Sequence, residues 1–273
     1  MNTAVRKAAV AGTFYPASAA ELAGLVDAFV AAAPQRPQPE RAPKVIVAPH
    51  AGYVYSGSVA GTAYAALSVA ASRVRRIVLL GPAHRVRVRG LALPGASALR
   101  TPLGDVAVDE DAVRMLAELP QISTSALAHA QEHSLEVHLP FLQRVLGPFT
   151  VVPLVVGDAT PEEVAEVIDR LWGGEETRIV VSSDLSHYLP YDVASRVDTR
   201  TAGRIVAEHF VAPDEACGAA PVNGLVLAAK RRGLHAALLD LRSSGDTAGP
   251  REEVVGYGAF AFYEPLREDG VPS

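Results

Sequence analysis

The strongest constraint on how this chain folds is a set of four short, nearly unbroken Val/Ile/Leu runs at residues 44–48, 76–80, 150–156 and 178–182. Apolar runs of strand length without alternation suit strands buried on both faces, as in parallel sheets covered by helices. Helical patterns occupy the intervals, at 19–32, 58–68, 109–118, 135–146 and 161–171. The last carries its own start signal: Thr160 can cap it, Pro161 takes the first helical position and Glu163 completes a capping box. A Gly- and aromatic-rich run at 254–263 reads as a C-terminal strand. This alternation predicts an α/β fold of three αβα layers around a central sheet, mostly parallel or mixed.

Of the 273 residues, 49% are apolar and 20% charged, a balance that supports a packed core and argues against disorder. Segment 33–43 carries Pro34, Pro37, Pro39 and Pro43, which forbid a helix. Too few residues precede it to build a separate core, so it reads as a surface connection. A second polar stretch covers 243–253, and no repeat or low-complexity segment interrupts the pattern. The expectation is one domain over 1–273, with 264–273 as a tail.

Net charge is −5 and the isoelectric point about 5.9. The most basic stretch, 85–89, alternates Arg with Val and reads as an exposed strand or loop edge. Nucleic acid is therefore not an expected partner. No long apolar stretch follows Arg6 and Lys7, and the most hydrophobic windows are strand-sized, so a soluble, cytoplasmic protein without membrane contact is expected. The single cysteine forbids an intrachain disulfide, which fits a reducing compartment.

Polar residues stand where the apolar runs end. His50 follows the first run, His84 the second, and Asp184 and His187 the fourth. Ligands of open α/β sheets bind at the carboxyl ends of strands, so three strands delivering such residues to one edge point to a site. Gly52 and Gly57 flank Tyr53 and Tyr55, and Gly81 precedes His84; these read as turns that let backbone approach a ligand. Neither stretch has the spacing of a phosphate loop.

Cys217 lies just ahead of an apolar helical run ending near Arg232. A helix N-terminus lowers a thiol pKa, which suits a metal ligand or nucleophile; the alternative is a small buried hydrophobe. In segment 131–140, His133 and His138 are five apart, so the zinc-protease spacing is absent. Glu132 and Glu136 would share a helix face near His133, either supporting a site and shuttling protons or making caps and salt bridges.

Six blocks carry a likeness to a known family: AGTFYP at 11–16, APHAGY at 48–53, LGPAH at 80–84, EHSLEVHLP at 132–140, SSDLSH at 182–187 and CG at 217–218. In this order they resemble the signature blocks of the MEMO family, whose bacterial and archaeal members are also called AmmeMemoRadiSam system protein B. The resemblance implies a fold similar to the class III extradiol (LigB-like) dioxygenases, and a metal held by His50, His84 and Cys217 with Asp184 and His187 close by. Those dioxygenases bind non-haem Fe(II) through two histidines and a carboxylate; a cysteine here makes the site softer, so Fe(II) is the expected ion with Cu or Zn as competitors. The family name also implies a pathway link to a radical SAM enzyme and an AMMECR1-like protein.

Three readings follow. The first is a dioxygenase-like redox metalloenzyme acting on a small molecule, with Asp184 and His187 catalytic and with Tyr15, Tyr53, Tyr55, Glu132 and His133 around the substrate pocket. The second is an iron- or copper-binding or protein-interaction protein without turnover. The third is a metal-free hydrolase with Cys217 as nucleophile, His187 as base and Asp184 as orienter.

Overall fold

The four apolar runs form the centre of one nine-stranded sheet. Its strands are β1 (Val45–Ala48), β2 (Arg76–Pro82), β3 (Leu91–Leu93), β4 (Ile122–Thr124), β5 (Thr150–Val156), β6 (Thr177–Ser182), β7 (His187–Leu189), β8 (His235–Ser243) and β9 (Val254–Tyr263). The structure is a computed structural model and describes residues 4–34 and 41–265. Strand order is β7–β9–β1–β6–β2–β5–β3–β4, and β8 also pairs with β9, off this path. The four central strands are mutually parallel, whereas β9 and β3 join them antiparallel. The sheet is thus mixed, with a parallel heart.

The pleat of the central strands sorts their side chains into two cores. Val47, Val78, Leu80 and Val181 face one side, where α3 (Glu110–Leu116), α6 (Pro161–Arg170), α7 (Tyr191–Val206) and α8 (Ala219–Arg232) cover them. Ile46, Ile77, Leu79 and Val180 face the other, under α1 (Ala19–Ala31), α2 (Tyr53–Leu67), α4 (Ala126–Ala130) and α5 (Leu139–Val145). Burial on both faces is why these strands read as continuous apolar runs. A separate three-stranded sheet, Val5–Arg6 with Ala98–Thr101 and Gly104–Ala107, flanks this body. Among the described residues no helix is long and apolar enough to cross a membrane.

The helix expected over 58–68 starts five residues earlier, at Tyr53. Gly57 is therefore no turn residue but sits inside α2, where a Cβ would lie 2.3 Å from the Phe29 ring of α1. The helix expected over 135–146 is reduced to α5, preceded by a 3₁₀ turn at Glu136–His138. Glu132 and Glu136 are consequently not on one α-helical face. Much of the connection at 33–43 and of the tail at 264–273 lies outside the described residues.

The capping box forms as the sequence suggests. The Glu163 N–H donates to Thr160 Oγ1 at 3.2 Å and the Thr160 N–H to Glu163 Oε2 at 2.8 Å. Thr160→Ala is expected to lower stability by about 1 kcal/mol in urea unfolding; an unchanged midpoint would show that the cap contributes nothing.

Candidate metal centre

Because β6 lies between β1 and β2, the carboxyl ends of the three strands adjoin. They deliver His50, His84 and Asp184 to one edge of the sheet. Cys217 reaches the same place from the start of α8. A Cβ on the next residue, Gly218, would lie 2.5 Å from the Ser182 carbonyl oxygen, so glycine alone lets α8 approach the end of β6 this closely. The Gly218 N–H then donates to Ser183 Oγ at 3.0 Å. One ligand atom each from His50, His84 and Cys217 falls within 4.8 Å of the others, and His50 Nε2 is 3.3 Å from Cys217 Sγ.

Both imidazoles are oriented from behind. The Ser182 hydroxyl donates to the Ser134 carbonyl at 2.6 Å, so its oxygen accepts from His50 Nδ1–H, also at 2.6 Å. That fixes the tautomer of His50 and leaves the Nε2 lone pair facing the thiol. The carboxylate of Glu132 accepts the His84 N–H at 2.6 Å and Nδ1–H at 2.9 Å, which leaves His84 Nε2 free. Burial alone would raise the Glu132 carboxyl, but hydrogen bonds from the His84 ring, His84 N–H and Ser134 N–H hold it at about 2. Partners of this kind are how proteins set metal-binding histidines. A second triplet, His84, Glu132 and His133, is also close-set. There the Glu132 oxygens already accept four N–H groups, so orientation explains it better than ligation.

Asp184 and His187 stand beside the three ligand atoms. Asp184 Oδ1 accepts the His50 N–H at 2.8 Å, and Oδ2 is 3.9 Å from His50 Nε2. Burial pushes its carboxyl up to about 7, against the pull of the His50 and Ala51 N–H groups. His187 Nδ1 contacts the Leu185 carbonyl at 2.9 Å, so Nδ1 carries the proton and Nε2 is free.

The thiol departs from expectation. Burial, reinforced by Asp184, pushes Cys217 up to about 12, so proximity to a helix N-terminus does not win over desolvation. The hydrolase triad is not assembled either, because Cys217 meets His50 and Asp184 holds the His50 backbone in place of the His187 ring.

Tyr55, His133, Asp184 and His187 line a cleft of about 390 Å³ together with Phe14 and Tyr188. Tyr15 and Tyr53, expected beside them, are core residues: each is 3% exposed, and their hydroxyls donate to Glu136 and to the Val137 carbonyl. Glu132 lies beneath His84 and not on the cleft wall. A larger cavity of about 470 Å³ between α7 and β8 brings together Tyr191, Asp198 and Arg242 but no histidine or cysteine. Ser134 and Ser182 escaped sequence reasoning, since nothing marks a serine as an imidazole's partner until the fold pairs them.

The profile of the family described as Memo-like protein matches residues 6–261. A MEMO1 family protein of Sulfolobus acidocaldarius is 35% identical over 94% of this chain and 99% of its own length. Others from Ignicoccus hospitalis and Aquifex aeolicus are 37% and 35% identical, over 96% and 94% of this chain and 99% of each relative. A crystal structure of an uncharacterized protein from Escherichia coli K12 superposes with a TM-score of 0.51 at 13% identity, covering 81% of this chain and all of that one; it speaks to the fold alone. The chain belongs to the Memo-like family.

Proposed function

We propose that this chain binds one transition-metal ion through His50 Nε2, His84 Nε2 and Cys217 Sγ, and presents it to a small molecule entering the adjoining cleft. One observation supports the reading: a ligand atom from each of His50, His84 and Cys217 lies within 4.8 Å of the others, and Nδ1 of each imidazole is already bonded from behind, by Ser182 and by Glu132. Two nitrogens and a sulfur suit iron, copper or zinc better than magnesium or calcium. We favour iron, with the Asp184 carboxyl nearby as a harder donor. Bound there, iron or copper would supply one-electron redox chemistry of the oxygenase type. Around it the chain's own groups divide the work: Glu132 and Ser182 hold the imidazoles, and His187 offers Nε2 to exchange a proton with a bound molecule.

The test is elemental analysis of untagged protein purified without oxygen, followed by titration of the metal-free form. One ion per chain is expected, and His50→Ala or His84→Ala should weaken binding more than tenfold with the fold retained. Parental affinity in both variants would place the metal elsewhere.

A further inference from the structure

The cleft beside the proposed centre has one-sided chemistry. Phe14, Tyr55, Tyr188 and Tyr257 line it with four aromatic rings, and Asp184 and Glu253 add two carboxyl groups. Among the described residues that line it, none is Lys or Arg. The aromatic groups share one region. Tyr257 holds its proton more tightly than an ordinary phenol, chiefly through burial, and Asp184, Tyr55 and Tyr188 are near enough to reinforce this.

Tyr188 is the unusual member. It sits mid-strand at φ +58°, in the left-handed region that a tyrosine rarely adopts. The β7–β9 register shifts between its neighbours His187 and Leu189. The side chain is 70% exposed, and its ring lies 5.8 Å from that of His187. Backbone strain of this kind clusters at active sites and ligand clamps, and Tyr188 is among the residues that line the cleft.

We propose that the cleft recognises small molecules by a protonated amine, which lies against the faces of Tyr55 and Tyr188 with Glu253 as its counter-charge. Aromatic faces attract cations through the ring quadrupole, most strongly where water is excluded. An anionic group in the same place would meet the Asp184 and Glu253 carboxyl groups with no Lys or Arg beside it, and a neutral one would gain nothing from the charge of Glu253. The rest of the molecule points toward His50, His84 and Cys217; the inference rests on the metal-centre reading only for that direction.

Three ligands with one phenol ring separate charge from shape: tyramine (cationic), 4-ethylphenol (neutral) and 4-hydroxyphenylacetate (anionic). Dissociation constants are measured by calorimetry on the protein as purified, with metal content determined on the same samples. Tyramine is expected to bind at least tenfold more tightly than 4-hydroxyphenylacetate. Glu253→Gln should weaken tyramine at least fivefold and leave 4-ethylphenol within twofold; Glu253 is exposed, so this variant should melt like the parent. Tyr188→Leu, which keeps apolar bulk without a π face, should also weaken tyramine. Absent tyramine binding, equal or tighter binding of the anion, or an unchanged tyramine constant in Glu253→Gln would overturn the proposal. Metal bound without charge preference defeats this inference alone; charge preference without metal defeats the metal centre alone.

Discussion

Arg6→Ala is expected to cost about 3–5 kcal/mol of folding stability, the range for stripping one partner from a buried ion pair. The Arg6 guanidinium pairs with Glu136, and both side chains are almost fully buried. Its Nε and Nη2 also donate to the carbonyls of His129 at 2.9 Å and Glu132 at 2.6 Å. Glu136 in turn accepts the N–H groups of Ala9 and Val10 and the Tyr15 hydroxyl. Removing the guanidinium leaves a buried carboxylate and two carbonyls short of a partner. Against the roughly 5–15 kcal/mol that holds a typical domain together, the loss is large. Urea unfolding measures it, and a change below about 1 kcal/mol would mean that water replaces the arginine. The consequence should reach the site as well. Arg6 grips the backbone of Glu132, whose carboxylate orients His84, so metal affinity should fall in the same variant.

Metal affinity is expected to rise at least tenfold per pH unit between pH 6 and 8, and so by roughly a hundredfold or more in all. With its thiol pushed up to about 12, Cys217 is protonated throughout this window in the metal-free protein. Ligation requires the thiolate, so each ion bound releases that proton, and acid competes against binding. Burial holds His50 well below its ordinary value, so its Nε2 is already unprotonated and adds no second proton. Asp184, at about 7, gains negative charge across the window and acts with the same sign. Competition against a chelator of known pH dependence gives the slope. Cys217→Ser should flatten it and weaken binding; a flat profile in the parent would remove the sulfur from the ligand set.

What the sequence disclosed depended on whether neighbours in the chain or neighbours in space decide a residue's role. The strand ends were legible because an apolar run followed by His50, His84 or Asp184 is local information. Tyr53 and Tyr55 were not. Once α2 begins at Tyr53, residues two apart point about 200° away from each other, so Tyr53 enters the core while Tyr55 faces the cleft. Gly57 looked like a turn because its reason, Phe29 on α1, is a contact that only the folded chain reveals. The same holds for Cys217, whose position before a helix is visible in the sequence while its burial is not.

The strand order also bears on when the site can come into being. His50 and Cys217 are 167 residues apart, and β6 must insert between β1 and β2 before their histidines become neighbours. A ribosome adding roughly 5–20 residues per second releases Cys217 roughly 10–30 s after His50. Until Thr177–Ser182 has been made, His50 and His84 lie on strands that cannot yet align, and until residue 217 the aligned pair still lacks the sulfur. Loading with metal is therefore an event of the finished chain, and a polypeptide released before residue 217 would lack the sulfur needed to hold the ion.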